Sequence, residues 1–209
     1  MSKMISLSRW QAMWQQLGVV TPTDDLYTQV ITCYAEPHRK YHTLQHLEEC
    51  LSHFEQIRSD AEHPSEVELS IWFHDAIYDV SSTENEQKSA TWAQAIVADQ
   101  GLSDAIGARV HSLIMVTKHD AVPIGVDAEV LVDVDLGILA SETTRFAEYE
   151  QQVRAEYSWV SSPVYQRERR KILQVFIDRA TIYSTPLFRE RYEALARANL
   201  LRSLGKLAG

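Results

Sequence analysis

His74 and Asp75 stand side by side in Ile71-Trp72-Phe73-His74-Asp75-Ala76-Ile77-Tyr78, a stretch that is otherwise apolar. Val67, Ile71, His74 and Tyr78 recur at helical spacing on one face, and Leu69, Trp72, Phe73, Ala76 and Ile77 cover much of the rest. A helix apolar nearly all round is a buried helix. An ionised carboxylate in such a place is costly unless a cation compensates it. Asp75 therefore calls for a cation, and the imidazole beside it is the commonest side-chain metal ligand. The competing reading is a buried His–Asp ion pair. The dipeptide alone decides little, because His119-Asp120 is a second copy of it.

Other groups of matching chemistry flank the pair. His42 and His46 lie one turn apart in a segment of helical period, with Leu44, Leu47, Leu51 and Phe54 as its apolar stripe. They could hold one metal together, or one could bind it while the other faces the metal's substrate. His46 sits at the stripe's edge and is the better buried ligand; His42 lies farther out and suits a substrate-facing acid. Asp133-Val134-Asp135-Leu136 follows Asp75 by about 60 residues, again in an apolar run, and offers two further carboxylates. Two imidazoles and two carboxylates offset the charge of a divalent ion and leave positions open on an octahedral metal.

The elements that must position these groups read as helices almost throughout. Helical period covers 6–17, a segment after Pro22 and Asp24 that stops before Glu36-Pro37, then 41–58, a helix opened by Pro64-Ser65, and 84–99 ended by Gly101. Ser103 caps the next, a loop at Val122-Pro123-Ile124-Gly125 leads into 127–139, and helices at about 143–159, 164–182 and 187–204 complete the chain. Residues 130–136 alternate like a strand, but an isolated strand has no partner here, so helix is expected. The fold class is all-α: a compact multi-helix bundle forming a single domain over 1–209, its metal-binding core at about 36–139 and its C-terminal helices, 143–205, packed on that core. Trp10, Trp14, Trp72, Trp92 and Trp159 fit amphipathic packing, and Cys33 and Cys50 read as reduced core residues rather than as a disulfide or a zinc site.

Composition sets the outer bounds. A net charge of −9 over 209 residues argues against a nucleic-acid partner, which calls for a basic face. No apolar run of about 18 residues and no secretory leader is read, so a cytoplasmic protein without membrane partners is expected. Arg154, Arg169 and Arg197 on the late helices suit pairing with acidic groups and leave room for a homodimer.

The ordered set resembles the HD-domain superfamily of metal-dependent phosphohydrolases, whose pattern is an early histidine, a His-Asp pair at a helix end and a late aspartate often followed by Leu. The matching positions are His46, His74, Asp75 and Asp135, over roughly residues 36–139. The chain is most similar to the small stand-alone bacterial members. Their features correspond to Tyr41-His42-xxx-His46-Leu47, Trp72-Phe73-His74-Asp75-xx-Tyr78, Asn85-Glu86-xx-Ser89-Ala90, Thr117-Lys118-His119, Asp133-Val134-Asp135-Leu136, Arg154-Ala155-Glu156-Tyr157 and Ala196-Arg197-Ala198-Asn199-Leu200. Two registers stay open: His42 could replace His46 as ligand, and Asp133 could replace Asp135.

The resemblance implies an enzyme with one divalent metal (Mn, Fe, Co, Ni, Mg or Zn) and room for a second near His119. It implies hydrolysis of a small phosphorylated substrate, a nucleotide above all. The Tyr-His-xxx-His stretch is also similar to eukaryotic cyclic nucleotide phosphodiesterases, which assign the acid to His42 and the metal to His46. Arg39 or Lys118 would then meet the phosphate, and Glu86 would orient the metal-bound water or attach to a histidine that lies behind the ligands. The alternatives are a catalytically silent, metal-stabilised helical module that binds a nucleotide or protein partner, and a metal-free structural bundle.

Overall fold

The computed structural model describes residues 3–20 and 24–207; Pro22, expected to precede the second helix, lies outside them. Among these residues the chain is all-α. Its ten α-helices are α1 (Leu7–Gln16), α2 (Asp24–Cys33), α3 (Leu44–Ile57), α4 (Pro64–Phe73), α5 (Asn85–Asp99), α6 (Asp104–Val116), α7 (Val126–Asp135), α8 (Thr143–Glu156), α9 (Ser162–Asp178) and α10 (Pro186–Lys206). Two compact units result, Met1–Asp135 and Leu136–Gly209. None of the helices is long and apolar enough to cross a membrane.

In the first unit α4 is the buried centre. Pro64 occupies its first turn, where a missing N–H costs nothing, and every residue from Glu66 to Phe73 is buried. Helices α1, α3, α5, α6 and α7 pack around it. Trp72 meets Trp10 edge to face at 5.3 Å, and Phe73 meets Trp92 in the same way at 5.1 Å. Two carboxylates on this helix are buried and paired: Glu66 takes a two-pronged bond from Arg109, and Glu68 is held between Arg9 and Arg58. α7 explains the alternating run. Val130 through Val134 are all buried, so a helix packed against α3, α4 and α6 carries apolar groups on every side and loses its helical period.

Several helix boundaries differ from the sequence expectation: α7 ends at Asp135 rather than at 139, α8 at Glu156 rather than near 159 and α9 at Asp178 rather than near 182, and two others bear directly on the site. α3 begins at Leu44, not near 41: Thr43 is its N-cap and accepts from the Gln45 N–H at 3.3 Å. Tyr41 and His42 precede the helix, because the guanidinium of Arg39 takes the His42 carbonyl as an acceptor at 3.3 Å and draws that backbone out of helical register. α4 ends at Phe73, with His74 as its C-cap, so Tyr78 is not on its face. Smaller departures lie at α2, where Asp24 is the first helical residue, and at Ser103, whose hydroxyl makes no capping bond although it stands at the N-cap of α6.

In the second unit the late motif residues serve the fold. The buried Asn199 donates to the carbonyls of Leu139 and Ser141, both at 2.9 Å. Arg197 pairs with Glu193 and covers the carbonyls of Ile177, Arg179 and Ala180 where α9 ends. Arg169 pairs with Glu150, while Arg154 donates to the carbonyls of Tyr157 and Val160. Trp159 departs from the packing expectation: it is 64% exposed.

Candidate metal centre

His46 enters from the first turns of α3, His74 from the C-cap of α4, Asp75 from the turn that follows, and Asp135 from the last residue of α7. Three separate regions of the first unit thus bring four side chains to one point. The Nε2 atoms of His46 and His74 lie 3.1 Å apart. Asp75 Oδ2 is 3.0 Å from His74 Nε2 and 3.4 Å from His46 Nε2; Asp135 Oδ1 is 3.6 Å and 3.2 Å from the same atoms. Donors bound about 2.1 Å from one ion lie about 3.0 Å apart at octahedral angles and about 3.4 Å apart at tetrahedral ones. The carboxylate–imidazole spacings fall around those values, so these donors could hold a divalent ion; the group whose donor atoms all lie within 4.8 Å of one another is His46, Cys50, His74 and Asp135, without Asp75.

The orientation of each ligand is fixed from behind. His74 Nδ1 donates to the carbonyl of Ile71 at 2.8 Å, so its Nε2 faces the cluster, as a metal-binding imidazole requires. His119 Nε2 donates to Asp135 Oδ2 at 2.8 Å and leaves Oδ1 for the cluster. His119 holds this position with a left-handed backbone, φ 58°, a conformation that non-glycine residues adopt at a cost of about 1–2 kcal/mol. Strain of this kind gathers at functional sites. The Tyr34 hydroxyl accepts from the Asp75 N–H and donates to the carbonyl of Trp72, pinning the turn. Beyond it, Asn85 exchanges hydrogen bonds with the backbone of Asp79, and Ser89 accepts from the Ile77 N–H.

Burial alone would push the two imidazoles down and the two carboxylates up. Neighbouring groups outweigh burial: Cys50, Tyr41 and the two carboxylates raise His46, and Asp75, Tyr34 and Asp135 raise His74, both well above the ordinary imidazole range, while His74, His42 and His46 hold Asp75, and His119, His46 and His74 hold Asp135, well below the carboxylate range. Both imidazoles are 2% exposed, against 14% for the Asp75 side chain and 13% for that of Asp135, so the cluster meets solvent on its carboxylate side.

The remaining sequence candidates divide. Of the two open registers, the fold brings His46 and Asp135 into the cluster; Asp133 is fully buried and is not among the clustered groups. His42 stands beside them, half-buried, stacked on Tyr78 at 4.1 Å and with its ring 5.9 Å from that of His46. Arg39 does not face solvent as a phosphate contact would. It is 4% exposed, its guanidinium lies against the rings of Tyr34 and Tyr78, and it donates to the carbonyls of Asp75, Ala76 and His42 and to the Glu36 carboxylate. It ties the His42 segment to the Asp75 turn. Lys118 is exposed and Glu86 half-exposed, and no hydrogen bond or ion pair among the described residues joins either to the cluster.

The sequence reading missed Cys50. Its thiol lies 3.7 Å from both ring nitrogens of His46, and His46, Cys50, His74 and Asp135 each present a donor atom within 4.8 Å of the others. The signal was present as His46-xxx-Cys50, one turn apart on one helix face. A second trio, Glu62, His63 and Asp127, is more exposed; there the Asp127 carboxylate accepts from the N–H groups of Glu62 and His63 just ahead of α4.

No family model, no curated protein and no solved structure matches the chain.

Proposed function

We propose that the protein is a metal-dependent phosphohydrolase of the HD-domain type, acting on a small phosphoester and most readily on a nucleotide. One observation carries the reading: two imidazoles and two carboxylates from three separate regions converge at metal-ligand spacing, with their carboxylate side toward solvent and a further histidine alongside. His46, His74, Asp75 and Asp135 would hold the ion. A divalent ion there supplies Lewis acidity to a phosphoryl oxygen and makes a water more acidic.

The other residues have roles that follow from position. His42, stacked on Tyr78 beside the cluster, protonates the leaving oxygen; imidazole is the side chain suited to moving a proton near neutral pH. Arg39 is a positioning residue, since its bonds to the His42 and Asp75 carbonyls fix acid and ligand relative to each other. His119 keeps Asp135 turned toward the imidazoles. Lys118, exposed next to His119, is the cation left to meet substrate phosphate.

The test pairs elemental analysis of freshly purified protein with a panel of nucleotides and phosphoesters assayed under five divalent metals. The expected result is stoichiometric metal, hydrolysis of at least one panel member, and a His42→Ala protein that keeps ligand affinity but loses turnover. Metal without turnover on any panel member would leave a catalytically silent binding module. Absence of stoichiometric metal together with no thermal shift on adding Mn²⁺ would remove the metal centre altogether.

A further inference from the structure

In the second unit, α8 turns one face to a half-open trough of about 520 Å³. Phe146, Ala147, Gln151 and Ala155 line it at helical spacing, and Arg202 and Lys206, one turn apart on α10, line it from the other helix. Most of this surface is apolar, and the volume is that of a small-ligand site, about 300–1,000 Å³. The lining runs from Thr143 past Ala155, about 18 Å of helix. Spread over that length the volume has a cross-section of about 30 Å², whereas a helix about 10 Å across needs about 80 Å². The trough is the width of one extended chain. Its charge is one-sided. Three cations line it, Arg154, Arg202 and Lys206, against the single carboxylate of Glu150. Glu150 is already engaged, by the buried Arg169 at 2.6 Å and by the Ser203 hydroxyl. Arg154 closes carbonyls at the end of α8. Arg202 bonds only neutral groups, Thr143 Oγ1 and Asn199 Oδ1, both through Nη1, and among the described residues its Nε and Nη2 and the Lys206 ammonium have no carboxylate partner. In a chain with 29 acidic and 20 basic side chains, composition alone does not leave cations short of carboxylates.

We propose that this trough binds a single-chain anionic amphiphile, an aliphatic tail that ends in a carboxylate or phosphate head. The tail lies along α8 against Phe146, Ala147 and Ala155, where each methylene taken from water raises affinity about two- to fourfold. The head meets Arg202 and Lys206, whose N–H groups make charge-assisted bonds to either oxyanion. The site shares no residue with the metal cluster, and the inference does not depend on the metal or on hydrolysis.

The experiment uses the full chain in excess chelator, so that no metal takes part, and isothermal titration calorimetry with decanoate, decyl phosphate, decanol and acetate, each below its aggregation limit. One equivalent of decanoate or decyl phosphate is expected to bind, with decanol and acetate at least about tenfold weaker; comparing the first two separates a carboxylate from a phosphate head. Affinity should climb about two- to fourfold per methylene from hexanoate to decanoate. Arg202→Gln combined with Lys206→Gln should weaken decanoate about tenfold or more. Ala155→Trp, which fills the trough from an exposed position and keeps every cation, should weaken it as much. Arg167→Gln combined with Lys171→Gln removes the same charge from an exposed part of α9 and should change nothing. Circular dichroism checks that each variant keeps its helicity. Binding of neither amphiphile to the wild type, equal binding of decanol and decanoate, or an affinity untouched by both trough variants overturns the proposal. If the wild type binds neither amphiphile and is instead a dimer that Ala155→Trp dissociates, the trough belongs to a second copy of the chain and the proposal falls.

Discussion

Arg39 separates two accounts of the site more sharply than any ligand does. If it meets substrate phosphate, replacing it leaves the fold untouched; if it clamps the loop, replacing it unfolds the clamp. Its side chain is fully covered and donates at 2.5 Å to Asp75, 2.9 Å to Ala76 and 3.3 Å to His42. Hydrogen bonds from a charged donor contribute about 1.5–3 kcal/mol each, the longest of these least. The Glu36 partner is 42% exposed, so screening by water reduces that pair to under about 1 kcal/mol. Packing on Tyr34 and Tyr78 at 5.3 Å and 5.4 Å adds about 0.5–1 kcal/mol each. These terms share one side chain and are not additive.

A net loss of about 4 kcal/mol is expected for Arg39→Ala, and at about 3 °C per kcal/mol for a chain of this size Tm falls by roughly 12 °C. Arg39→Lys should fare nearly as badly, because one ammonium cannot reach carbonyls that a planar fork spans. Differential scanning calorimetry on metal-free protein in excess chelator isolates this effect from metal binding. A drop of less than about 3 °C for Arg39→Ala refutes the clamp and returns Arg39 to the substrate.

Three further outcomes follow from the same geometry. Paired with carboxylates, the raised imidazoles stabilise metal-free protein fully below the ordinary histidine pKa of about 6.5 and lose that contribution as pH rises; the lowered carboxylates contribute above about 3.9 and lose it as pH falls. An added ion displaces the imidazole protons, so the Mn²⁺-induced rise in Tm should be larger at pH 8 than at pH 5.5, and a shift equal at both would speak against these ligands. His119→Ala frees Asp135 Oδ2 and should weaken metal binding by about 10–100-fold in a competition titration, with helicity unchanged. Asn199→Ala strands a buried and a half-buried carbonyl in the second unit and should cost about 2–3 kcal/mol in urea denaturation.

How far the site was legible depended on whether local pattern or tertiary contact decides each residue. His74-Asp75 could be read because an ionisable pair inside an apolar run conflicts with burial, and His46 because it sits at the edge of an apolar stripe. The helical character of 130–136 was legible only by excluding a lone strand, since burial on every side had erased the period. The start of α3 was not legible: the bond from Arg39 to the His42 carbonyl is a tertiary contact, and it moved His42 off the helix on which spacing had placed it. The same contact hid the role of Arg39, whose neighbours Lys40 and His38 suggest an exposed basic segment. Cys50 escaped notice for a different reason. Its helical offset from His46 was visible, but a lone cysteine inside an apolar stripe is ordinarily a small core residue.

The charge of the cluster joins these observations. With both imidazoles neutral, Asp75 and Asp135 leave a formal charge of −2 in a largely covered site, which burial makes costly without compensation. Two protons compensate it, one on each imidazole, and so does one divalent ion. The fold does not choose between them, because the spacings of 3.0–3.6 Å suit shared protons and metal donors alike. The surroundings are less even-handed. The bond from His74 Nδ1 to the carbonyl of Ile71 and the strained backbone of His119 behind Asp135 both orient donor atoms inward, and an ion gains more from fixed lone pairs than a mobile proton does.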